Sequence, residues 1–595
     1  MAAARAREAT QQGEADWVAR LADEVVAEAD RRRAAAGQDR PIVCASGLSP
    51  SGPIHLGNLR EVMVPHLVAD EIARRGRAVE HLISWDDYDR FRKVPAGVPG
   101  VDASWAEHIG KPLTSVPAPA GSPHANWAEH FKAAMVDALN ELGVRFRGIS
   151  QTQMYTSGAY RDEVLHAMAR RADIDAVLDR YRTKKKTSAP PAGTSRPALD
   201  AESAAASDLA EEGSGAAQED DGTTGGGYFP FKPYSLAFGT DETRVLSYDD
   251  DTTELTYVAT GPGGEQVTES MRLDSDFRGK LVWKVDWPMR WAREGVDFEP
   301  SGVDHQSPGS SFVVGGQLVE EIFGGRQPIG PMYAFVGISG MAKMSSSRGG
   351  VPTPGDALRV MEAPLLRWLY VRRRPNQSFT VALDAEIQRL YDEWDALGRK
   401  VGTQAAQPGD LAAHARSVRT ASEDLPLTPR PVPFRAIASV VDITGADEEQ
   451  SLRILRTVDP HVETLDDVRP RFDRAVEWID TYVPDEDRIR VRAEPDVDAL
   501  DALSADDRAA LDLLLDHLED DWSLDGLTTL VYGVPKLRAG LPVDEKKLPP
   551  EVKAAQRSLF ALLYRLLIGS DTGPRIPTLL LCIGPERVRP LLGRG

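Results

Sequence analysis

Trp17, Leu21 and Val25 recur at a spacing of four with Asp, Glu and Arg between them, the pattern of an amphipathic helix over 15–37 closed by Gly37. A short apolar run, PIVCA at 41–45, reads as a buried strand and gives way to the turn-rich SGLSPSGP. A long helical pattern then fills 56–75 and stops at Gly76, and AVEHLIS at 78–84 reads as the next strand. Strand, loop, helix and strand in that order predict a parallel sheet with crossover helices, the doubly wound α/β architecture, with ligands at the carboxyl ends of the strands. From 228 to about 271 short β-prone runs alternate with glycine turns, the aromatic-rich WKVDWPMRW follows, and beyond about 391 the strands largely vanish. A mostly helical region of roughly 200 residues closes the chain.

Composition changes this picture in three ways. A chain of 595 residues has room for several cores, and 42% hydrophobic with 27% charged residues describes a soluble globular protein. Between 189 and 227 the sequence collapses to Ala, Gly, Ser, Pro and acids, so a disordered low-complexity insertion is expected there. The most apolar late stretch, 559–569, is about half a membrane span and is broken by Arg565, so no membrane association is expected. The first residues carry no apolar targeting core, and two cysteines, Cys44 and Cys582, are too few for a disulfide framework; a cytoplasmic protein is expected. A net charge of -21 argues against an extended phosphate-binding surface but leaves local basic clusters at Lys184 to Lys186 and Arg372 to Arg374. The latter also follow a helical run, where cations offset the helix dipole whatever else they do.

The chemistry is concentrated in two loops. The first, Gly47-Leu48-Ser49-Pro50-Ser51-Gly52-Pro53-Ile54-His55-Leu56-Gly57-Asn58, leads from the first strand into a helix whose N-H groups and dipole face an anion. It is neither a dinucleotide fingerprint nor a Walker loop. Its His-X-Gly-Asn start offers an imidazole N-H to a phosphate, and Gly57 leaves room for an adenine face. The second, Lys343-Met344-Ser345-Ser346-Ser347, follows the apolar run 332–338 between Gly340 and Gly349, a lysine and hydroxyls on a glycine-flanked loop suited to a leaving pyrophosphate.

Together the two loops resemble the paired signatures of class I aminoacyl-tRNA synthetases. The stretches SGLSPSGPIHLGNLREV, WDDYDRFRKVP, WKVDWPMRW, FEPSGVDH and GSDTGPRI resemble the class I lysyl-tRNA synthetases in particular, densely in the first part of the chain and thinly in the helical part. The resemblance implies ATP-dependent attachment of L-lysine to tRNA(Lys) through a lysyl-adenylate. It also implies a Rossmann-type doubly wound catalytic domain with a mixed insertion, followed by an all-α anticodon-binding domain. The expected organisation is a helical extension at 1–37, a catalytic domain at 38–385 with an insertion at about 110–280, and the anticodon-binding domain at 386–595.

Residue by residue, the resemblance gives His55 and Asn58 to the phosphates and adenosine of ATP, with Pro50, Ser51, Gly52 and Gly57 beside them. Lys343, Ser345 and Ser347 close on the pyrophosphate, with Met344 on the nucleotide. Gly302 and Asp304 meet the ribose. Gly47, Ser49, Trp283 and His305 line the lysine pocket, Trp283 or Tyr333 covers the methylene stem, and Glu61, Asp86 and Asp87 are the acids near enough to meet the ε-ammonium. Two plainer readings stand beside these. Trp283, Trp287 and Trp291, four residues apart, fit a buried helical stripe, and Asp86 and Asp87 fit a cap on the following helix.

ATP is expected with Mg²⁺, no dedicated metal site is readable, and a monomer is expected. The chain departs from the family twice: Ser346 stands where a second loop lysine is usual, and no cysteine follows the Lys-Pro-Tyr segment where many relatives carry pairs, so zinc held by cysteines is not expected. Two other functions remain open at this point, an adenylate-forming enzyme that serves a carrier other than translational tRNA, and a tRNA-binding regulator without aminoacylation.

Overall fold

The computed structural model describes residues 16–37, 39–187, 223–224, 227–339 and 351–593. The low-complexity insertion therefore lies almost wholly outside the described residues. The chain divides into two compact units, one made of 1–358, 366–382 and 403–425, the other of 359–365, 383–402 and 426–595.

In the first unit, helix α1 (Trp17–Ala36) starts where the Asp16 carboxylate accepts from the backbone N-H of Val18 and Ala19, and ends on Gly37 in the left-handed conformation at φ 63°. Its apolar stripe, Trp17, Leu21 and Val25, is buried. Strand β1 (Ile42–Leu48), helix α2 (Leu56–Arg74) and strand β2 (Val79–Trp85) follow in the predicted order. β1 pairs in parallel with β2 from Ile42↔Val79 to Leu48↔Trp85, and β2 pairs in parallel with β3 (Arg147–Ser150). β1 runs beyond the apolar PIVCA because Ser46, Gly47 and Leu48 continue the ladder, so the loop begins at Ser49. Buried on both sides, β1 reads as one apolar run rather than an alternation.

The other edge of β1 is extended by single parallel bridges, Cys44↔Phe298 and Phe298↔Ile329, which lead into the short parallel pair β4 (Ser301–Gly302) and β5 (Met332–Tyr333). Strand β6 (Val336–Ser339) pairs in parallel with β7 (Phe379–Ala382). Residues 47–49, 85–87, 302–304 and 333 thus meet at the carboxyl ends of parallel strands, where an open α/β sheet binds its ligands. The glycine-punctuated region forms an antiparallel sheet of Thr243–Tyr248, Glu254–Thr260 and Gln266–Arg272. The tryptophan stripe lies on helix α3 (Trp283–Glu294), with Trp287 and Trp291 buried.

The second unit is helical, with Ile387–Gly402, Phe434–Thr444, Arg471–Tyr482, Leu524–Arg538 and Pro550–Ile568 among its longer elements. Its buried polar centre is Arg471, which donates to Glu362 at 2.7 Å and to both oxygens of Asp395 at 2.9 and 3.0 Å. A planar guanidinium matched by two carboxylates satisfies its donors without water.

Candidate active site

Helix α2 begins with a reciprocal cap. The Gly57 N-H donates to His55 Nδ1 at 3.0 Å, and the His55 N-H donates to Asn58 Oδ1 at 3.3 Å. With Nδ1 accepting, the neutral ring carries its proton on Nε2, which makes that nitrogen the donor, and Asn58 keeps its amide N-H groups. A Cβ on Gly57 would lie 2.8 Å from the imidazole, so only glycine lets the ring fold over the helix start.

The expected cradle of open backbone N-H groups is not what forms: Leu56 N-H is taken by Pro352 O at 3.0 Å, Gly57 N-H by His55, and Asn58 N-H by His55 O at 3.0 Å. An anion at this helix start meets side-chain donors and the dipole instead.

Lys343, Met344, Ser345 and Ser347 lie outside the described residues, but both flanks of their loop reach this point. On the near flank, a Cβ on Gly57 would lie 3.8 Å from Val336 O on β6. On the far flank, Pro352 accepts from Leu56, whose own carbonyl accepts from Tyr370 OH at 2.6 Å. Arg60, buried one turn along α2, donates to the carbonyls of Ala334, Gln377 and Arg374 and ties the helix to the segments leading into β6 and β7.

At the end of β4, a Cβ on Gly302 would lie 2.5 Å from Asp304 Oδ1, so glycine is what admits this carboxylate over the strand end. Asp304 Oδ2 is buried with no donor within hydrogen-bond distance among the described residues, His305 Nε2 standing 3.7 Å away, an acceptor suited to a hydroxyl.

Beside Gly47 two carboxylates converge: a Cβ there would lie 3.8 Å from Glu61 Oε1 and 4.0 Å from Asp86 Oδ2. Their electrostatics differ. Burial, then the nearby Glu299 and Asp86 charges, hold the Glu61 carboxyl well above the usual range. Asp86 is pushed up to about 6 by burial, with Arg290 pulling it down through a 2.6 Å ion pair. Glu299 is pushed up to about 7 by burial, although both its oxygens accept indole N-H bonds, from Trp287 at 3.1 Å and Trp291 at 2.6 Å. Asp87 accepts from Thr152 N-H at 2.7 Å, in a helix 65 residues away whose own N-cap is Ser150, rather than capping the helical turn that follows it.

Trp283 stacks on Trp287 at 5.2 Å between centroids, His305 meets Trp287 edge-on at 5.7 Å, and Tyr333 pairs with Gly302 across β4 and β5. Gly47, Trp283, Trp287, Arg290 and Glu299 line one cleft. In the 49–54 loop, Ser51 O accepts from Trp127 Nε1 at 3.0 Å, and Gly52 lies against Pro95. Arg290 and Glu299 escaped the sequence reading. Their only local signal is position: Arg290 sits three residues after Trp287 on α3, and Glu299 precedes SGVDH.

The cysteine-free segment does not fit a zinc ion. Both cysteines are buried elsewhere, and among the described residues no group of three or more His, Cys, Asp or Glu is placed to hold a metal. Glu269 organises the turn instead: its carboxylate accepts from Leu236 N-H and Ala237 N-H, each at 2.8 Å, and from Ser235 Oγ at 3.0 Å.

The sequence model of the family described as tRNA synthetases class I (K) matches residues 15–423. The chain belongs to this family. It is 66% identical to a lysine–tRNA ligase of Streptomyces coelicolor over 97% of its own length and 98% of that protein. It is 31% identical to a lysine–tRNA ligase of Thermococcus kodakarensis, covering 96% of this chain and 98% of that protein.

Proposed function

We propose that the chain is an ATP-dependent ligase that joins L-lysine to tRNA(Lys) through a lysyl-adenylate. The observation that carries the site assignment is the convergence at one sheet edge of the His55–Asn58 helix start, both flanks of the Lys343 loop, the donor-free Asp304 oxygen and the acids beside Gly47. The lysine carboxylate attacks the α-phosphate of ATP, bound with Mg²⁺ as substrate, and pyrophosphate leaves. The 3'-terminal ribose hydroxyl of tRNA then attacks the mixed anhydride and releases AMP. Neither step needs a side-chain nucleophile, so positioning and charge stabilisation supply the barrier reduction.

In this reading His55 Nε2 and the Asn58 amide donate to the nucleotide, Asp304 accepts from the ribose, and Lys343 with Ser345 and Ser347 meets the charge building on pyrophosphate. Glu61 receives the ε-ammonium, and Trp283 and Tyr333 cover the aliphatic stem. The helical region from 386 reads the anticodon, and the α/β region before it is the Rossmann-type catalytic domain. Charging of purified total tRNA with a panel of labelled amino acids tests this. Label from lysine alone is expected; no lysine label, or equal labelling by another amino acid, overturns it.

A further inference from the structure

Two carboxylates border the space beside Gly47, and among the described residues only one of them has a cation of its own. Asp86 is paired with Arg290 Nη1 at 2.6 Å, and no Lys, Arg or His among the described residues pairs with Glu61. Arg290 is itself fixed from three sides: it also bonds Asp286 and donates to Ser84 Oγ at 3.1 Å, and its guanidinium lies 5.6 Å from the centre of the Trp283 ring. Asp286 accepts from Tyr155 OH at 2.6 Å and meets Lys280 at 3.4 Å, and Lys280 reaches Asp89 at 2.5 Å. The buried chain therefore holds two cations, Arg290 and Lys280, against three carboxylates, Asp86, Asp89 and Asp286.

We infer that Arg290 is a specificity-setting positioning residue: by occupying Asp86 it leaves Glu61 as the one carboxylate beside Gly47 open to a ligand ammonium, and so fixes where the charged end of the amino acid docks. This rests on the lysine reading above and sharpens it. Without Arg290, two acids within reach of the same space compete for one ammonium, and the carboxylate that must reach ATP is displaced with it. A misplacement of that kind costs rate as well as affinity. The charge count also makes one substitution structurally mild, because Asp86→Asn leaves Arg290 and Lys280 matched one to one with Asp286 and Asp89.

Lysine-dependent pyrophosphate exchange, with KM measured separately for lysine and ATP, decides the matter. Glu61→Gln is expected to raise the lysine KM about tenfold to a hundredfold with the ATP KM nearly unchanged, the loss of a hydrogen bond to a charged group. Asp86→Asn is expected to cost at least about tenfold less than Glu61→Gln. Arg290→Met is expected to raise the lysine KM and lower kcat, and adding Asp86→Asn to it is expected to recover about tenfold in the lysine KM with the ATP KM unmoved, whereas a purely structural pair would restore thermal stability and both KM values together.

Equal costs for Asp86→Asn and Glu61→Gln overturn the assignment, even if Arg290→Met does not fold, and so does a double variant no better than Arg290→Met. If the unaltered chain shows no lysine-dependent exchange, the lysine reading fails first and this inference with it.

Discussion

At one end of the candidate site, His55, Gly57 and Asn58 lie within four residues and hold one another through hydrogen bonds of 3.0 and 3.3 Å. At the other end, Glu61, Asp86, Arg290 and Glu299 arrive from α2, the end of β2, α3 and the segment before β4, and their arrangement is set by charge. The first end is a local device, complete once one helix has started. The second exists only when several distant segments have packed, and its carboxyl groups answer to one another through a dry interior. On the reading proposed above, local geometry serves the nucleotide, the ligand part shared by every reaction of this class, and long-range charge serves the part that distinguishes one amino acid from another.

The largest expected effect tests the nucleotide end. Lys343→Ala is expected to remove about 2 to 4 kcal/mol of transition-state stabilisation, at least tenfold in pyrophosphate exchange, with little change in thermal unfolding. Near-normal exchange would remove the loop from the mechanism. Gly57→Ala comes next: a methyl group cannot share space with the imidazole, so the cap breaks and about 1 to 2 kcal/mol is lost. The ATP KM should rise while the lysine KM stays close to its original value, and a rise in the lysine KM alone would show that the two ends are not separate devices.

The third test separates the ends by pH. An ammonium binds ionised carboxylates, and burial pushes Glu61 well above the usual carboxylate range and the neighbouring Glu299 up to about 7. These raised pKa values mean that the site takes up protons as pH falls through that window. The lysine KM is therefore expected to rise about tenfold from pH 8 to pH 6. The ATP KM should change much less; parallel changes in both would contradict the division. The smallest effect lies outside the cleft. Glu269→Gln loses charge-assisted bonds from a partly exposed turn, and a stability loss of about 1 kcal/mol in chemical denaturation is expected. Prolonged chelation should leave the unaltered protein's unfolding transition where it was, and a fall on chelation would point to a metal in that turn.

The same division governs what the sequence made legible. The helix pattern around Trp17, Leu21 and Val25, its closure at Gly37, and the strand, helix and strand of 42–85 are local and came through within a few residues. So did the helix start at Leu56. The ladder that carries β1 on to Leu48 was hidden, because it depends on Ser84 and Trp85 opposite. The closed first turn of α2 was hidden as well, since Pro352 lies beyond the second signature. Arg290 reads locally as one cation among tryptophans, and Glu299 as an acid before a proline; their meaning lies in Asp86, Trp287 and Trp291, which no periodicity ties to them. In the second unit the helices are legible, but the match of Arg471 to Glu362 and Asp395 is not.

The histidine at the start of α2 has one more consequence. Its ring has two nitrogens: Nδ1 accepts the Gly57 N-H that caps the helix, and on the proposed reading Nε2 donates to the nucleotide. A primary amide in its place would have an oxygen for the cap and a nitrogen for the phosphate, but both at the tip of a single flexible group rather than at separate positions of one rigid ring. On that reading, unwinding of the helix start would disarm the donor in the same motion.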